Sequence, residues 1–226
     1  MLDKERLRKN LDEVIWNIEQ ARLAVDEHLI VKLVTVGKYT NIENIERLYS
    51  LGQRAFGENH VQQLEERSKR LEDLPLEWHF IGNLQKNKIN KLIDADPFLM
   101  QSLDSLELAL LLDKHLAKKN AHMSCLLQVN SAGEESKYGV APDEAIDTYQ
   151  EIGERCSHID LKGVMSIGAH SRERSIVQES FETTYNIYGK LQKEGAAICS
   201  MGMSSDYELA IACGSNLVRI GSALFK

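Results

Sequence analysis

The sequence lacks the features that mark several classes of protein. Its 226 residues include only 3 prolines and no Gly/Ser-rich linker, so we expect one domain over residues 1–226. No apolar run is long enough to span a bilayer, and the opening segment "MLDKERLRKNLDEVIWNIEQA" has no apolar signal core. These absences argue against secretion and membrane insertion, and they predict a cytoplasmic protein.

Positive charge and metal-binding patterns are also scarce. The net charge is −7, whereas a protein that binds the nucleic-acid backbone needs a basic face. The 7 histidines show no H-x-x-x-H or H-E-x-x-H arrangement, and the 4 cysteines no C-x-x-C spacing. We therefore expect no metal site. The cysteines are typical of buried free thiols in a reducing cytosol: Cys125, Cys156, Cys199 and Cys213.

Short apolar runs alternate with amphipathic segments along the chain. The segment from Leu7 to Val25 carries apolar residues at helical spacing with charged residues between them, and this pattern predicts a helix. Eight apolar runs follow and predict strands, and helices are predicted between them. The predicted strands are 31–36, 54–58, 77–82, 97–103, 123–129, 161–167, 196–202 and 217–221, and the predicted helices are 42–52, 59–72, 86–93, 105–119, 142–156, 174–193 and 206–213.

Eight is the number of strands that closes a β/α barrel. Strands that are buried on both faces read as continuous apolar runs, as most of these do. We therefore predict an α/β fold, a single (β/α)8 TIM-type barrel with an extra N-terminal helix. An open doubly wound sheet is the alternative, but no G-x-G-x-x-G motif follows the first strand.

The ends of the predicted strands carry the candidate site, because the active site of a β/α barrel lies there. Ser204 and Ser205 follow the seventh strand, and Gly221 and Ser222 follow the eighth. These are the usual phosphate-binding positions of such barrels, since backbone N–H groups at a helix start bind anions. Ser205-x-x-Glu208 also reads as a capping box, which leaves Ser204 for a ligand.

Two cations stand in or beside strands. Arg219 lies within the last strand, where it either pairs with a carboxylate, faces water at an edge, or donates to a ring nitrogen or an anion inside the barrel. Lys38 follows "VKLVTVG". Most such lysines are solvated, but an amine near Arg219 that is screened from water is more easily neutral and can form a Schiff base with a carbonyl. The phosphate site beside it then favours a phosphorylated aldehyde.

Other candidate side chains have plainer interpretations. Lys86, Lys88 and Lys137 lie in hydrophilic loops, and we expect them to be solvated. His79 and His170 are expected to be hydrogen-bonded histidines rather than catalytic bases.

Six blocks of this sequence resemble the pyridoxal phosphate homeostasis protein family, also called YggS or PROSC, which is related to the N-terminal barrel domain of alanine racemase. The blocks occur in the family's order and spacing and span nearly the whole chain: "VGKYT", "FGENHVQ", "WHFIGNLQKNK", "QVNSAGEESKYGV", "LKGVMSIGA" and "SMGMSSDYELAIACGSNLVRIGSALF".

The resemblance implies a role for each matched residue. Lys38 would hold pyridoxal 5'-phosphate (PLP) as a Schiff base, Arg219 would face the pyridine nitrogen, and Asn59 would lie beside the cofactor. The phosphate cradle would consist of Ser204, Gly221 and Ser222. This chain departs from the family at Gly37, where a slightly larger residue is common, and at Ser205 and Ser222, which stand for Asp and Thr. We expect the Gly37 departure to loosen the lysine.

The function implied is PLP (vitamin B6) homeostasis, with the protein buffering the cofactor or delivering it to apo PLP-dependent enzymes, rather than catalysis. Arg219 cannot accept a proton, so the ring would be a poor electron sink. By the same resemblance, racemases need a tyrosine base on a further domain, which we do not expect here. The alternatives are a weak PLP-dependent amino-acid racemase with Tyr138 as base, and a Schiff-base aldolase, which does not predict Arg219. We expect a monomer without nucleic-acid or membrane partners.

Overall fold

A closed barrel of parallel strands forms the centre of the molecule. The structure, a computed structural model, describes residues 3–38, 40–134 and 137–226. Within these ranges eight strands pair in chain order, and the last pairs with the first, which confirms the predicted (β/α)8 TIM-type barrel. The strands are β1 (Lys32–Val36), β2 (Ala55–Glu58), β3 (Glu77–Phe80), β4 (Leu99–Leu103), β5 (Met123–Val129), β6 (Ile159–Ser166), β7 (Ile198–Ser200) and β8 (Leu217–Ile220).

Helices lie between successive strands and cover the outside of the barrel. An additional helix, α1, precedes β1, as predicted, and short 3₁₀ turns occupy Lys86–Lys88 and Gln192–Glu194. None of the helices in the described ranges is both long enough and apolar enough to cross a membrane. The helices are α1 (Lys4–Leu23), α2 (Ile42–Ser50), α3 (Val61–Arg70), α4 (Ile89–Ala95), α5 (Leu106–Lys119), α6 (Ala145–Arg155), α7 (Arg174–Leu191) and α8 (Tyr207–Ala212).

The buried face of α1 is narrower than the apolar pattern of its sequence. Ile15 and Val25 belong to that pattern but are 44% and 47% exposed. Ile15 follows the buried Val14 and lies at the edge of the buried stripe of the helix. Val25 lies after Leu23, the last residue of the helix. The buried face consists of Leu7, Leu11, Val14 and Ile18.

Two polar side chains of α1 form hydrogen bonds with α8 and with the segment that follows β8. The Asn10 amide donates to the carbonyl of Leu224 (2.9 Å), and the Asn17 amide donates to the Tyr207 hydroxyl (3.1 Å). The first helix therefore packs beside α8 and beside the segment that follows β8, which are the elements that hold the predicted phosphate site.

Apolar side chains form two layers, one inside the barrel and one between the strands and the helices. Because successive side chains of a strand face opposite sides, residues two apart enter the same layer. Arg219 lies two residues beyond Leu217 of the inner layer, and Gln101 two residues beyond Leu99, so both polar side chains enter the barrel. The inner layer consists of Val34, Ala55, Leu99, Leu126, Met165 and Leu217.

The cysteines follow the prediction with one difference. All four carry free thiols. Cys125, Cys156 and Cys199 are buried, as predicted, whereas Cys213 at the end of α8 is half-buried. Burial raises the pKa of the Cys199 thiol to about 12, and such a thiol is unreactive at neutral pH.

Candidate cofactor-binding site

Lys38 lies at the carboxyl end of β1, directly after Gly37, and its side chain is exposed. The expectation that this lysine is screened from water is therefore wrong for the chain as described. In the β1–β8 ladder, Arg219 pairs with Val34, four residues before Lys38 and roughly 13 Å lower along the strand. The lysine stands at the mouth of the barrel, and the arginine lies below it in the interior.

Asn59, which the family resemblance places beside the cofactor, lies near Lys38. Both residues line a cavity of about 320 Å³ at the ends of β1, β2 and β3. The Asn59 Oδ1 atom is buried and has no hydrogen-bond partner among the described residues. A buried acceptor without a donor is costly, so this atom is suited to accept a hydrogen bond from a ligand.

Gly82 follows β3 and allows the backbone to approach Asn59 closely. A Cβ atom at this position would lie 1.9 Å from the Asn59 carbonyl oxygen, which is far inside van der Waals contact. The Gly82 carbonyl also accepts a hydrogen bond from the Ser102 hydroxyl (2.6 Å). The absence of a side chain here therefore sets the position of Asn59 at the mouth.

The predicted phosphate cradle is a convergence of backbone amides on one hydroxyl. The N–H groups of Gly221 and Ala223 both donate to Ser204 Oγ, each at 3.2 Å. Two amides that share one oxygen acceptor have the arrangement that binds an oxyanion. Ser204 and Gly221 are thus brought together, while Ser222 lies between the two amide donors along the chain and is exposed.

The capping box predicted at Ser205 and Glu208 is wrong. Helix α8 begins at Tyr207 with Asp206 at its cap position, and the Asp206 carboxylate accepts from the Met203 N–H (2.6 Å). Ser205 therefore lies one residue before the cap position, and among the described residues no side chain makes the capping hydrogen bond of this helix. Burial raises the pKa of Asp206, and the Met203 amide opposes this shift.

Arg219 is 4% exposed and makes hydrogen bonds rather than an ion pair. Its Nη1 donates to the Ser200 hydroxyl, and its Nη2 donates to the Ser166 carbonyl (2.7 Å). In the described part of the chain, no carboxylate forms an ion pair with it. Burial lowers the pKa of Arg219 to about 10, so the guanidinium stays protonated at neutral pH and can only donate.

A chain of buried hydrogen bonds leads from Arg219 across the barrel. The Ser200 hydroxyl accepts from Arg219 and donates to Gln101 Oε1 (2.7 Å). The Gln101 Nε2 group then donates to His79 Nδ1 (2.9 Å). Burial, aided by the charge of Lys32, lowers the pKa of His79 to about 3. His79 is therefore neutral and accepts at Nδ1 as predicted for a hydrogen-bonded histidine, whereas its buried Nε2 has no hydrogen-bond partner among the described residues.

A second cavity, of about 580 Å³, opens beside the cradle, between the loops that follow β6 and β7, and Ser204 and Lys137 contribute to its lining. Lys137 was predicted to be solvated, but its side chain is largely buried and hydrogen-bonded. Its Nζ donates to Glu134 Oε1 (2.7 Å) and to the Gly168 carbonyl (2.8 Å). Tyr138, the racemase base considered above, is 59% exposed.

These groups fit a phosphorylated aldehyde that carries a ring nitrogen. The cradle offers neutral N–H donors for the phosphate, Lys38 offers an amine at the mouth, and Arg219 offers N–H donors below. Two polar atoms at the end of β5, Asn130 Oδ1 and Ser131 Oγ, are also buried without partners in the described ranges, and they suit the polar substituents of such a ring.

Sequence reasoning missed Gln101, Ser200, Asn130 and Ser131. The two serines and Asn130 stand at or next to strand ends, and that position alone could have marked them. Gln101 stands in the middle of an apolar run, and only its position two residues after Leu99 indicates that it enters the barrel.

Comparison with known proteins agrees with this geometry. The family model described as "Alanine racemase, N-terminal domain" matches residues 9–226, so the chain is a barrel of this class. A pyridoxal phosphate homeostasis protein from Helicobacter pylori strain J99 is 51% identical over 219 residues, which cover 97% of this chain and 98% of the relative. The chain belongs to the pyridoxal phosphate homeostasis protein family.

Solved structures show the same fold. A crystal structure of an unknown protein from Bifidobacterium adolescentis has a TM-score of 0.91 and 30% identity, and the match covers 100% of this chain and 98% of that chain. PipY of Synechococcus elongatus with PLP bound has a TM-score of 0.78 and 29% identity, with 92% of this chain and 100% of PipY covered.

Proposed function

We propose that this protein binds PLP reversibly and takes part in PLP (vitamin B6) homeostasis, by buffering the cofactor or by delivering it to apo PLP-dependent enzymes. Residues 1–226 would act as one PLP-binding barrel. The observation that carries the proposal is the pair of amides, Gly221 and Ala223, that converge on Ser204 at the mouth that also carries Lys38. The names of the curated relatives and the PLP in PipY support it.

Each residue of the site has a distinct task in this proposal. Lys38 holds the cofactor covalently through its amine, and Asn59 contacts it beside the lysine. The phosphate lies on the Gly221 and Ala223 amides near Ser204 and Ser222. Arg219 donates to the pyridine nitrogen from below. When bound, PLP supplies an aldehyde and an electron-accepting ring.

The same groups favour carrying the cofactor over using it. Arg219 stays protonated at neutral pH, so it cannot provide the proton that would make the ring nitrogen cationic and the ring a strong electron sink. The exposed Lys38 is open to an incoming amine from another protein. We infer a cytoplasmic monomer that hands PLP to other proteins and that has neither nucleic-acid nor membrane partners.

The test is to titrate purified protein with PLP and to follow the visible absorbance. We expect a yellow protein whose band disappears on borohydride reduction, with the pyridoxyl group placed on Lys38 by peptide mass spectrometry. Lys88→Ala is the control, because Lys88 lines the same cavity. A protein that stays colourless, or a label at Lys88 instead, would refute the proposal.

Catalysis is tested separately on the loaded protein. Amino-acid racemisation should not exceed the rate given by free PLP at the same concentration. Transfer is measured by adding an apo PLP-dependent enzyme and recording the return of its activity. Racemisation well above the free-cofactor rate that Tyr138→Phe abolishes would establish the racemase alternative.

A further inference from the structure

A buried ion pair lies directly beneath the loop that carries Lys38. Glu58, the last residue of β2, pairs with Arg67 on α3. The Glu58 and Arg67 side chains are 0% and 9% exposed, and neither residue belongs to the proposed set of cofactor contacts. A buried pair of this kind is weak evidence for stability in itself, so its position calls for another explanation.

The Arg67 guanidinium reaches from α3 to the backbone on both sides of Lys38. Its Nη1 donates to the Gly37 carbonyl (2.8 Å), and its Nη2 donates to the Thr40 carbonyl. The Thr40 N–H also donates to the Gly37 carbonyl (3.0 Å), which closes the turn. A planar guanidinium can bind two carbonyls and a carboxylate at once, whereas an ammonium has no fork of fixed geometry.

Gly37 belongs to the same arrangement. A Cβ atom at this position would lie 2.3 Å from Glu58 Oε1 and 2.7 Å from Arg67 Nη1. The ion pair therefore occupies the space that a larger residue would need. The expectation that Gly37 loosens the lysine is replaced by a different interpretation, in which glycine admits the guanidinium that fixes the turn.

We propose that Arg67, held by Glu58 and admitted by Gly37, is a positioning residue that fixes the Lys38 turn for covalent capture of PLP. The inference rests on the proposed function, since it assigns Lys38 the covalent role. Arg67 touches the backbone of the turn and acts through it. A reacting group misplaced by a small distance loses about tenfold to a hundredfold in rate, and this is the loss expected without Arg67.

The experiment compares Arg67→Met with Arg67→Lys and with the control Arg70→Met. Arg70 lies on the same helix and is 62% exposed. The rate of PLP attachment to Lys38, fixed by borohydride, is measured from pH 6 to pH 10. We expect Arg67→Met to lower this rate by about tenfold or more, while phosphate-anchored binding changes little. Arg67→Lys should recover part of the rate, and Arg70→Met should match the wild type.

A second readout needs no cofactor. Amide hydrogen exchange of the peptide that contains residues 37–44 should quicken in Arg67→Met, while exchange of the peptide that contains residues 217–226 stays unchanged. If Arg67→Met fails to fold because Glu58 is left unpaired, Arg67→Met/Glu58→Gln removes both charges at similar size. The inference would be overturned if a folded Arg67 variant exchanged the amide hydrogens of residues 37–44, and attached PLP to Lys38, at the same rates as the wild type.

The two proposals fail in different ways. If the wild type attaches no PLP at Lys38, the proposed function falls, and hydrogen exchange in the turn still decides whether Arg67 fixes it. If the wild type attaches PLP and Arg67→Met does so at the same rate and with the same pH profile, only the positioning role falls.

Discussion

At the scale of single residues, the role proposed for Lys38 rests on its position. The side chain is exposed, and exposed lysines are common on any surface. Three things distinguish this one: an acceptor on nearby Asn59 that has no partner among the described residues, a convergence of amides at the end of the adjacent strand β8, and a turn held by Arg67. A residue's surroundings, rather than its type, make it a candidate for covalent chemistry.

Lys38→Ala should abolish covalent attachment and leave binding through the phosphate. The affinity for PLP is expected to fall by at least about tenfold, or ~1.4 kcal/mol, because the covalent bond is lost. Weaker binding remains because the Gly221 and Ala223 amides stay in place. Equilibrium dialysis with PLP measures the residual affinity, and borohydride labelling measures the covalent fraction. A variant that still becomes labelled at another lysine would contradict the assignment.

Gly82→Ala should disturb the mouth at Asn59. The new Cβ would meet the Asn59 carbonyl oxygen at 1.9 Å, and the backbone has to shift. We expect a loss of about 1–3 kcal/mol in the free energy of unfolding and weaker PLP binding. Urea denaturation and PLP titration measure the two effects.

Gly153→Ala is the matched control for this change, since a Cβ atom there meets nothing within 4 Å. Gly153 lies in α6, so alanine should stabilise the protein by roughly 0.5–1 kcal/mol. Equal behaviour of the two variants would show that crowding at Asn59 is unimportant.

Residues could be marked as candidates from the sequence where their position in the fold suggests a role. Ser204, Gly221 and Arg219 could be marked because they follow or lie in the last two strands. Ser205 was misassigned because helix α8 begins at Tyr207, one residue later than the capping box requires, so that Asp206 takes the cap position. The part played by Gly37 depends on a neighbour thirty positions away in sequence, Arg67, which no local pattern reveals.

At the scale of elements, the strands are joined by polar contacts as well as by their ladders. Ser200 on β7 and Gln101 on β4 are 99 positions apart and meet inside the barrel. Because β4 and β7 are not neighbours in the sheet, this hydrogen bond crosses the interior. In the chain from Arg219 to His79, the two middle members, Ser200 and Gln101, each accept one hydrogen bond and donate the next. The arginine is therefore held from across the barrel.

Gln101→Leu should break this chain at its centre. It removes the acceptor of Ser200 and the donor to His79, and each buried group left without a partner costs about 1–3 kcal/mol. We expect lower stability and a shift in the visible absorbance of bound PLP, because Arg219 loses its fixed position. Thermal unfolding and the spectrum of the loaded protein check the two parts.

The control is Gln53→Leu. Gln53 donates to the carbonyls of Leu33 and Ala55 (2.9 and 2.8 Å), away from the proposed site. This variant should lose stability as well, but the absorbance of its bound PLP should match that of the wild type. A spectral shift of equal size in both variants would mean that the chain does not position Arg219.

The order and type of the elements could be predicted because apolar runs of strand length alternate with amphipathic helices. Strand ends were less predictable. β7 is limited to Ile198–Ser200 although the apolar run extends over 196–202, and β6 begins at Ile159, before its predicted start at 161. The start of β6 was missed because Asp160, an exposed charged residue, interrupts the apolar run there. Pairing with neighbouring strands, rather than the run itself, decides where a strand ends.

At the scale of the whole molecule, the buried histidine makes stability depend on pH. The pKa of His79 is about 3 in the folded protein, against 6.5 for an unperturbed histidine. As the pH falls, the unfolded chain binds the proton first. The contribution of neutral His79 is therefore complete above about pH 6.5 and is lost progressively as the pH falls toward 3.

Between pH 7 and pH 5 this effect should lower the free energy of unfolding by about 2 kcal/mol. His79→Gln removes the titrating group and keeps an acceptor for Gln101. The decrease in stability between the two pH values should therefore be smaller in the variant by about this amount. Urea denaturation of both proteins at pH 7 and pH 5 measures it. Parallel decreases would show that His79 is not the group responsible.

The pairing of β8 with β1 has a consequence for the order of events during synthesis. The lysine turn follows the first strand of the barrel to leave the ribosome, and the amides proposed to bind the phosphate follow the last strand of the barrel. A nascent or nicked chain that lacks residues 217–226 carries the amine without the cradle. Stable retention of the cofactor therefore waits for ring closure, and the yellow colour of the loaded protein would serve as an optical report that the first and last strands have met.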